Sequence, residues 1–129
     1  MHFETPPNDR RASVSMVAMP RDTNALGDIF GGWLMSHADI AGAIVAYRRA
    51  GGRVVTVAVK DFVFIAPVFV GDLVSFFADI VRVGKTSVTV DVSIFAQGDW
   101  SNEKVRRVAT ATMVYVHVGE KHRPTPIPA

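Results

Sequence analysis

The pattern of hydrophobic and polar positions divides this 129-residue chain into one helical stretch and several extended ones. From Gly31 to Ala50 the residues are apolar nearly all round, and the stretch ends on Arg48 and Arg49 with two glycines beyond, which is typical of a helix C-terminus. A helix of roughly 18 residues is about 27 Å long. Because its middle carries apolar side chains on every side, we expect this helix to be enclosed rather than to lie on a surface.

The remaining stretches predict strands that are joined by short turns. Ser87–Ala96 alternates between apolar and polar residues, so its apolar side chains share one face. Arg53–Val59 is rich in Val and Thr and has no period, which is typical of a strand buried on both faces. A tight hairpin is predicted at Gly84-Lys85-Thr86. The other predicted strands are Ala12–Ala18, Phe62–Ile65, Asp72–Val83 and Lys104–Val118.

This order of elements predicts an α+β fold in which a curved antiparallel sheet of five to six strands wraps a central helix. We expect a single domain over residues 1–129, with a flexible N-terminal segment over 1–11 and a proline-rich C-terminal tail over 120–129. The two edges of such a sheet need covering, so we also expect a homodimer whose sheets pair edge to edge.

The composition excludes several classes of protein. The chain is 49% hydrophobic and 20% charged, which excludes a disordered or fibrous protein. It has no cysteine, which excludes a disulfide scaffold, a thiolate metal site and a cysteine nucleophile. A net charge of +2 gives no basic field, so we expect no nucleic-acid partner. The sequence shows neither a secretory signal nor an apolar run of the roughly 20 residues that span a membrane, and we expect a cytoplasmic location.

Three features are candidates for chemistry, and each has a structural alternative. Asp39 lies in the apolar middle of the predicted helix, and it is either a solvent-facing or capping residue or a general base or nucleophile. Gly31 and Gly32 open the helix, and their N–H groups form either an ordinary cap or an oxyanion hole. The side chain of Asn24 is suited to an Asx-turn in the preceding loop.

Taken together, the loop and helix from Met19 to Ala43 strongly resemble the signature of the YciA-type acyl-CoA thioesterases. These are hotdog-fold enzymes related to the mammalian cytosolic acyl-CoA hydrolases, and in their fold an antiparallel sheet wraps a long helix. Ala66 departs from the family pattern, because many relatives carry a lysine there. The resemblance continues more weakly through Gly52–Val59, Phe64–Pro67, Val70–Asp72, Val83–Ser87 and Arg123–Pro128.

The resemblance implies hydrolysis of acyl-CoA thioesters to a free carboxylic acid and CoA. It implies that Asp39 is catalytic, either as general base on water or as a nucleophile through a mixed anhydride. Asn24 then positions the water or the carbonyl from the opposite protomer, and the backbone at Gly31 and Gly32 polarises the thioester carbonyl. The residues implied to contact CoA are Gly84, Lys85, Thr86 and Ser87, with Arg123 as a weaker candidate.

The resemblance also bears on assembly and cofactors. It implies that homodimers with shared sites gather into a trimer of dimers. The reaction is expected to use no metal and no separate cofactor, since CoA is part of the substrate and of the product.

Two other functions compete with this one. A hotdog dehydratase acting on hydroxyacyl thioesters needs a catalytic histidine beside the Gly-Gly turn, where Phe30 stands. His37 lies about 200° round the helix from Asp39, so we expect it to pack or to face a partner rather than to form a dyad. A non-catalytic acyl-CoA-binding module has no reason to keep the Asp39 carboxylate in an apolar helix. Asp72, which follows Gly71, is expected to be a turn residue.

Overall fold

One helix lies across one face of a five-stranded sheet in the part of the chain that the computed structural model describes, residues 11–101 and 104–129. The predicted helix bounds are confirmed at both ends, and the predicted flexible segment 1–11 lies outside the described residues except for Arg11. The elements are β1 (Val14–Val17), α1 (Gly31–Ala50), β2 (Val54–Phe64), β3 (Leu73–Val83), β4 (Ser87–Gln97) and β5 (Val105–His117). Short 3₁₀ turns occur at Pro20–Asp22, Gly98–Trp100 and Glu120–His122.

The sheet is antiparallel throughout and has the strand order β1-β3-β4-β5-β2. Strands β3, β4 and β5 form its centre, and the short β1 and the long β2 are its edges. The predicted hairpin joins β3 to β4, and the Gly84 N–H closes it by donating to the Ser87 carbonyl at 2.8 Å. The predicted α+β architecture with five to six antiparallel strands is confirmed.

The core forms where small residues of α1 meet the inner face of the sheet. Ala38, Ala41 and Ala46 are fully buried, and their short side chains let the helix approach the strands closely. β4 alternates as the sequence predicts, and its inward side chains are buried against the helix. These inward residues are Val88, Val90, Val92, Ile94 and Ala96.

The expectation that α1 is enclosed is wrong for the single chain. Met35, Ile40 and Tyr47 lie outside the core, and Ile40 and Tyr47 are 50% and 55% exposed. The sheet is a single layer, so it covers the helix from one side only. An apolar pattern reports a preference for burial but does not specify which chain supplies the cover. Among the described residues, no helix is long and apolar enough to cross a membrane.

The expectation that Arg53–Val59 is buried on both faces is also wrong. This segment and Phe62–Ile65 contribute to one strand, β2, whose register shifts between Thr56 and Ala58 and again between Lys60 and Val63. β2 is an edge strand, so β5 pairs with it on one side and the other side stays open. Its exposed apolar side chains are Val57, Val59, Val63 and Phe64.

The tail over 120–129 is held against the rest of the chain. After the 3₁₀ turn at its start, the Thr125 N–H donates to the His117 carbonyl at 2.8 Å. The Ile127 N–H donates to the Lys85 carbonyl at the same distance, and the Ile127 side chain packs against the core. The tail is therefore tied to both β5 and the β3–β4 hairpin.

Asp72 is more than the turn residue that the sequence predicts, because its carboxylate forms a buried ion pair with Arg106 of β5. The two residues are only 5% and 3% exposed. Asp72 Oδ2 also accepts the Phe69 N–H at 2.9 Å, and Arg106 Cζ lies 5.1 Å from the centroid of the Phe69 ring. The pair fastens the loop before β3 to the centre of the sheet.

Candidate active site

Asp39 lies on the side of α1 that meets β2 and β5, and both strands hold its carboxyl group. Thr56 Oγ1 in β2 donates to Asp39 Oδ1 at 2.7 Å. The Tyr115 hydroxyl in β5 lies 3.1 Å from the same oxygen and 2.8 Å from the backbone carbonyl of Asp39. Asp39 Oδ2 has no hydrogen-bond partner among the described residues. Asp39 Oδ1 therefore accepts from Thr56 and shares the single hydroxyl proton of Tyr115 with the Asp39 backbone carbonyl, and Oδ2 is left available for chemistry.

Tyr115 belongs to the hydrophobic core, and its hydroxyl group contacts this carboxylate. Its side chain is fully buried, and its hydroxyl lies 3.3 Å from Met113 Sδ. Burial raises the pKa of Tyr115 far above its usual range, and the charge of Asp39 and the hydrogen bond to it raise that pKa further. The hydroxyl therefore keeps its proton and acts as a donor.

The sequence does not predict either Thr56 or Tyr115 as a residue of the site. A threonine in a Val-rich run and a tyrosine in a long apolar strand are ordinary strand residues. The two residues stand directly opposite each other in the β2–β5 pairing. That register is set by the pairing of distant segments, so local periodicity gives no signal that would bring the two hydroxyl groups together.

The N-terminus of α1 presents two unpaired backbone donors. Phe30 is the N-cap residue and supplies no side-chain hydrogen bond, and no acceptor in the described part of the chain takes the N–H of Gly31 or Gly32. A Cβ atom at position 31 would lie 3.0 Å from Cζ of Phe64, so glycine leaves room for that ring. The helix dipole favours negative charge at this end, which suits a developing oxyanion.

An apolar cavity of about 400 Å³ adjoins this helix N-terminus. Ile29, Gly31 and Leu34 line one part of it, and Phe64–Val68 line the rest. Ala66, which departs from the family pattern, is one of the lining residues and places a methyl group there. The cavity has the size and polarity of a site for a small apolar group.

Asn24 forms the Asx-turn that was one interpretation of its sequence context. Its Oδ1 accepts the N–H groups of Leu26 at 2.9 Å and Asp28 at 3.2 Å. No hydrogen bond joins Asn24 to Asp39 within the described residues. A joint role of Asn24 from one chain and Asp39 from another remains a prediction.

The hairpin residues Gly84, Lys85, Thr86 and Ser87 form a tight corner in which Lys85 is exposed and the other three are half-buried. A Cβ atom at position 84 would lie 2.7 Å from Ser87 Oγ, so a larger residue there would make the Ser87 side chain rotate. The Lys85 side chain is exposed, and its ammonium has no partner among the described residues. Arg123 is also exposed and lies on the tail, just after the 3₁₀ turn. These positions supply two surface cations, and their contact with CoA stays a prediction.

His37 is a packing residue, as its position on the helix predicts. Its ring lies edge-on to Trp33 at 4.7 Å between centroids and 5.9 Å from the centroid of Phe76. It makes no hydrogen bond with Asp39, and its Nδ1 is buried without a partner in the described structure. Across residues 11–101 and 104–129, no three His, Asp or Glu side chains are grouped so that they could hold a metal ion.

Comparison with known proteins identifies relatives for most of this chain. Residues 26–100 match the model of the thioesterase superfamily. Acyl-CoA thioester hydrolase YciA of Salmonella typhimurium is 46% identical over 114 residues, which cover 87% of this chain and 86% of that protein.

Solved structures match the fold as well. A hexameric thioesterase from Yersinia pestis superposes with a TM-score of 0.89 at 41% identity, covering 96% of this chain and 99% of the other. A hexameric hotdog fold thioesterase of Campylobacter jejuni gives a TM-score of 0.87 at 38% identity, with 95% and 93% coverage. The predicted hotdog fold is therefore confirmed.

Proposed function

This chain belongs to the thioesterase superfamily, and we propose that it hydrolyses acyl-CoA thioesters to a free carboxylic acid and CoA. The observation that carries the proposal is the Asp39 carboxylate, which two hydroxyl donors hold through one oxygen while the other is free. The unpaired N–H groups of Gly31 and Gly32 and the apolar cavity beside them supply the oxyanion site and the acyl site that the reaction needs. The identity to an acyl-CoA thioester hydrolase supports the same activity.

In the general-base route, Asp39 Oδ2 takes a proton from a water molecule whose oxygen attacks the thioester carbonyl carbon. The carbonyl oxygen becomes negatively charged, and the N–H groups of Gly31 and Gly32 of the opposite protomer stabilise it. Those of the same chain lie roughly 11 Å along α1 from Asp39, since a helix rises about 1.5 Å per residue. When this tetrahedral intermediate collapses, the C–S bond breaks and the CoA thiolate leaves. Protonated Asp39 returns its proton to the thiolate, so that the products are the acid and the CoA thiol.

In the nucleophilic route, Asp39 Oδ2 itself attacks the carbonyl carbon and the CoA thiolate leaves. Water then hydrolyses the resulting mixed anhydride, which releases the carboxylic acid and restores the Asp39 carboxylate, and the proton that the water loses neutralises the CoA thiolate. Mass spectrometry of enzyme quenched during turnover distinguishes the two routes, because only this one leaves the acyl group on Asp39.

We propose that the hairpin between β3 and β4 binds the CoA part of the substrate. The unpaired ammonium of Lys85 and the polar groups of Gly84, Thr86 and Ser87 suit a phosphate group or the amides of pantetheine. Arg123 is the second cation within this proposal. The reaction as written needs neither a metal nor a separate cofactor, and it involves no nucleic acid.

The apolar side chains left exposed on α1 and β2 support an oligomer. The solved relatives from Yersinia pestis and Campylobacter jejuni are hexameric, and for this chain we propose homodimers gathered into a trimer of dimers. In such a dimer Asn24 of one protomer completes the site around Asp39 of the other. Sedimentation tests this arrangement, and a fully active species of 14.0 kDa contradicts it.

The direct test of function is turnover of a panel of acyl-CoA thioesters followed with a reagent for free thiols. We expect release of CoA by the unmodified protein and its loss in Asp39→Asn. Binding of acyl-CoA without release of thiol would contradict the proposal and would favour a binding module. The predicted cytoplasmic location is a separate question, which fractionation of the source cells answers.

A further inference from the structure

Tyr115 reaches Asp39 through a space that only a residue without a side chain leaves open. Gly42 lies in the buried middle of α1, three residues after Asp39. A Cβ atom at position 42 would lie 2.3 Å from the Tyr115 hydroxyl oxygen and 3.0 Å from its Cζ. Glycine is unfavourable in a helix interior, so its presence here has a local reason. That reason is the phenol of Tyr115, which packs against the helix at Gly42 and would collide with any larger side chain there.

We infer that Tyr115 is a positioning residue, whose hydroxyl acts with Thr56 to fix Asp39 through Oδ1 and so makes Oδ2 the oxygen that meets water or thioester. The inference rests on the proposed function of Asp39 and deepens it. The two donors come from facing positions of neighbouring strands, which places them side by side beneath one carboxylate oxygen.

The contacts of the Tyr115 hydroxyl explain how it positions the carboxylate. Its one proton is shared in a three-centre hydrogen bond between the Asp39 backbone carbonyl and Asp39 Oδ1, so it ties the side chain to the helix that carries it. Hydrogen bonds donated to a carboxylate favour its ionised form, which is the form that a base or a nucleophile needs. The other partners of this cluster, Thr56 and Met113, carry no charge, so the Asp39 carboxylate is the charged group that the two hydroxyls meet.

The test compares Tyr115→Phe with Tyr47→Phe, since the chain has only these two tyrosines. Tyr47→Phe is the matched control, because it keeps the ring on the exposed side of α1 and removes only a hydroxyl that makes no hydrogen bond among the described residues. We expect Tyr115→Phe to lower kcat about tenfold or more with little change in KM, because hydrogen bonds to charged groups are the strong ones. A folded Tyr115→Phe enzyme with wild-type kcat would overturn the inference.

A second measurement does not depend on the folding of that variant. In the Tyr47→Phe protein, biosynthetic 3-fluorotyrosine labels position 115 alone, so its ¹⁹F signal reports on the phenol. We expect its chemical shift to change when Asp39→Asn is added, because the Tyr115 hydroxyl lies 3.1 Å from Asp39 Oδ1. A signal that is the same with and without Asp39→Asn overturns the inference.

The Asp39→Asn variant separates the two levels of the proposal. If it keeps wild-type turnover, the proposed function of Asp39 fails, and the inference fails with it. If it is inactive while Tyr115→Phe behaves as wild type, only the positioning role of Tyr115 is overturned.

Discussion

Thr56 Oγ1 lies 2.7 Å from Asp39 Oδ1, and this hydrogen bond joins the edge strand β2 to the middle of α1. Thr56 also stands opposite Tyr115, so the pairing of β2 with β5 brings both donors to the same oxygen. Because β2 is an edge strand with exposed apolar side chains, its position depends partly on what covers it. The geometry of the carboxylate is therefore linked to assembly of the protein as well as to the fold of one chain.

Asp39→Asn should keep the fold and CoA affinity but lower kcat by a factor of about 10² to 10⁴, the usual size of a general-base contribution. The amide oxygen can still accept from Thr56 and Tyr115, but the side chain can neither take a proton nor attack a carbonyl. Thioester turnover, circular dichroism and CoA binding of the same sample check this. Near-wild-type turnover in a well-folded sample would assign the chemistry to another group.

Thr56→Val should lower kcat roughly tenfold, since it removes one donor from Asp39 Oδ1 while keeping the shape of the side chain. Thr56→Ser keeps the hydroxyl and should recover most of the activity. The matched control is Thr112→Val, because Thr112 Oγ1 donates to Asp91 Oδ1 at the same 2.7 Å. Equal losses in Thr56→Val and Thr112→Val would mean that the effect comes from the sheet rather than from Asp39.

Lys85→Ala should raise KM for acyl-CoA by about twofold to fivefold at low salt and leave kcat nearly unchanged, because an exposed charge contributes little and lies away from the reacting carbon. The effect should shrink as salt is added. Lys60→Ala removes the same charge from β2 and is the control. If KM is the same in both variants and the wild type, the CoA phosphates bind elsewhere.

Asp72→Ala should lower the free energy of unfolding by about 3–5 kcal/mol, because it leaves the Arg106 guanidinium buried without its counter-charge. The double change Asp72→Leu with Arg106→Met should recover much of that loss, since it removes both buried charges. Chemical denaturation of the wild type and the two variants measures this at fixed protein concentration. A double variant that is less stable than Asp72→Ala would mean that the ion pair contributes more to the free energy of unfolding than the cost of burying its two charges.

The sequence predicted the helix and its approximate bounds, since its apolar run and its arginine-glycine end are local signals. It also selected Asp39, because a carboxylate in an apolar helix is a local anomaly. Tyr115 and Thr56 were not predicted as site residues, because their contact with Asp39 comes from strand pairing between distant segments. The enclosure of α1 and the burial of β2 were predicted wrongly, since hydrophobicity indicates that a surface is covered but not by which chain.

Asn24 has a structural role in its own chain, because its Oδ1 accepts two backbone N–H groups of its loop. Its catalytic role has to be separated from this one by experiment. Asn24→Ala should therefore lower both thermal stability and kcat. Asn24→Ser can rebuild the turn with its hydroxyl, so it should restore stability but not activity. Full recovery of kcat in Asn24→Ser would assign Asn24 to the turn alone.

Mixing subunits tests whether Asn24 and Asp39 act from opposite protomers. A dimer of one Asn24→Ala chain and one Asp39→Asn chain has two shared sites. One site combines the intact Asp39 of the first chain with the intact Asn24 of the second, and the other site combines the two altered residues. Co-expression should therefore give more activity than either variant, approaching about a quarter of wild type, because random pairing makes half of the dimers mixed and each has one intact site. Turnover of purified mixed dimers, isolated with two different tags, measures this directly. Activity equal to the mean of the two parents would mean that each site is built within one chain, and Asn24 would then lose its proposed role.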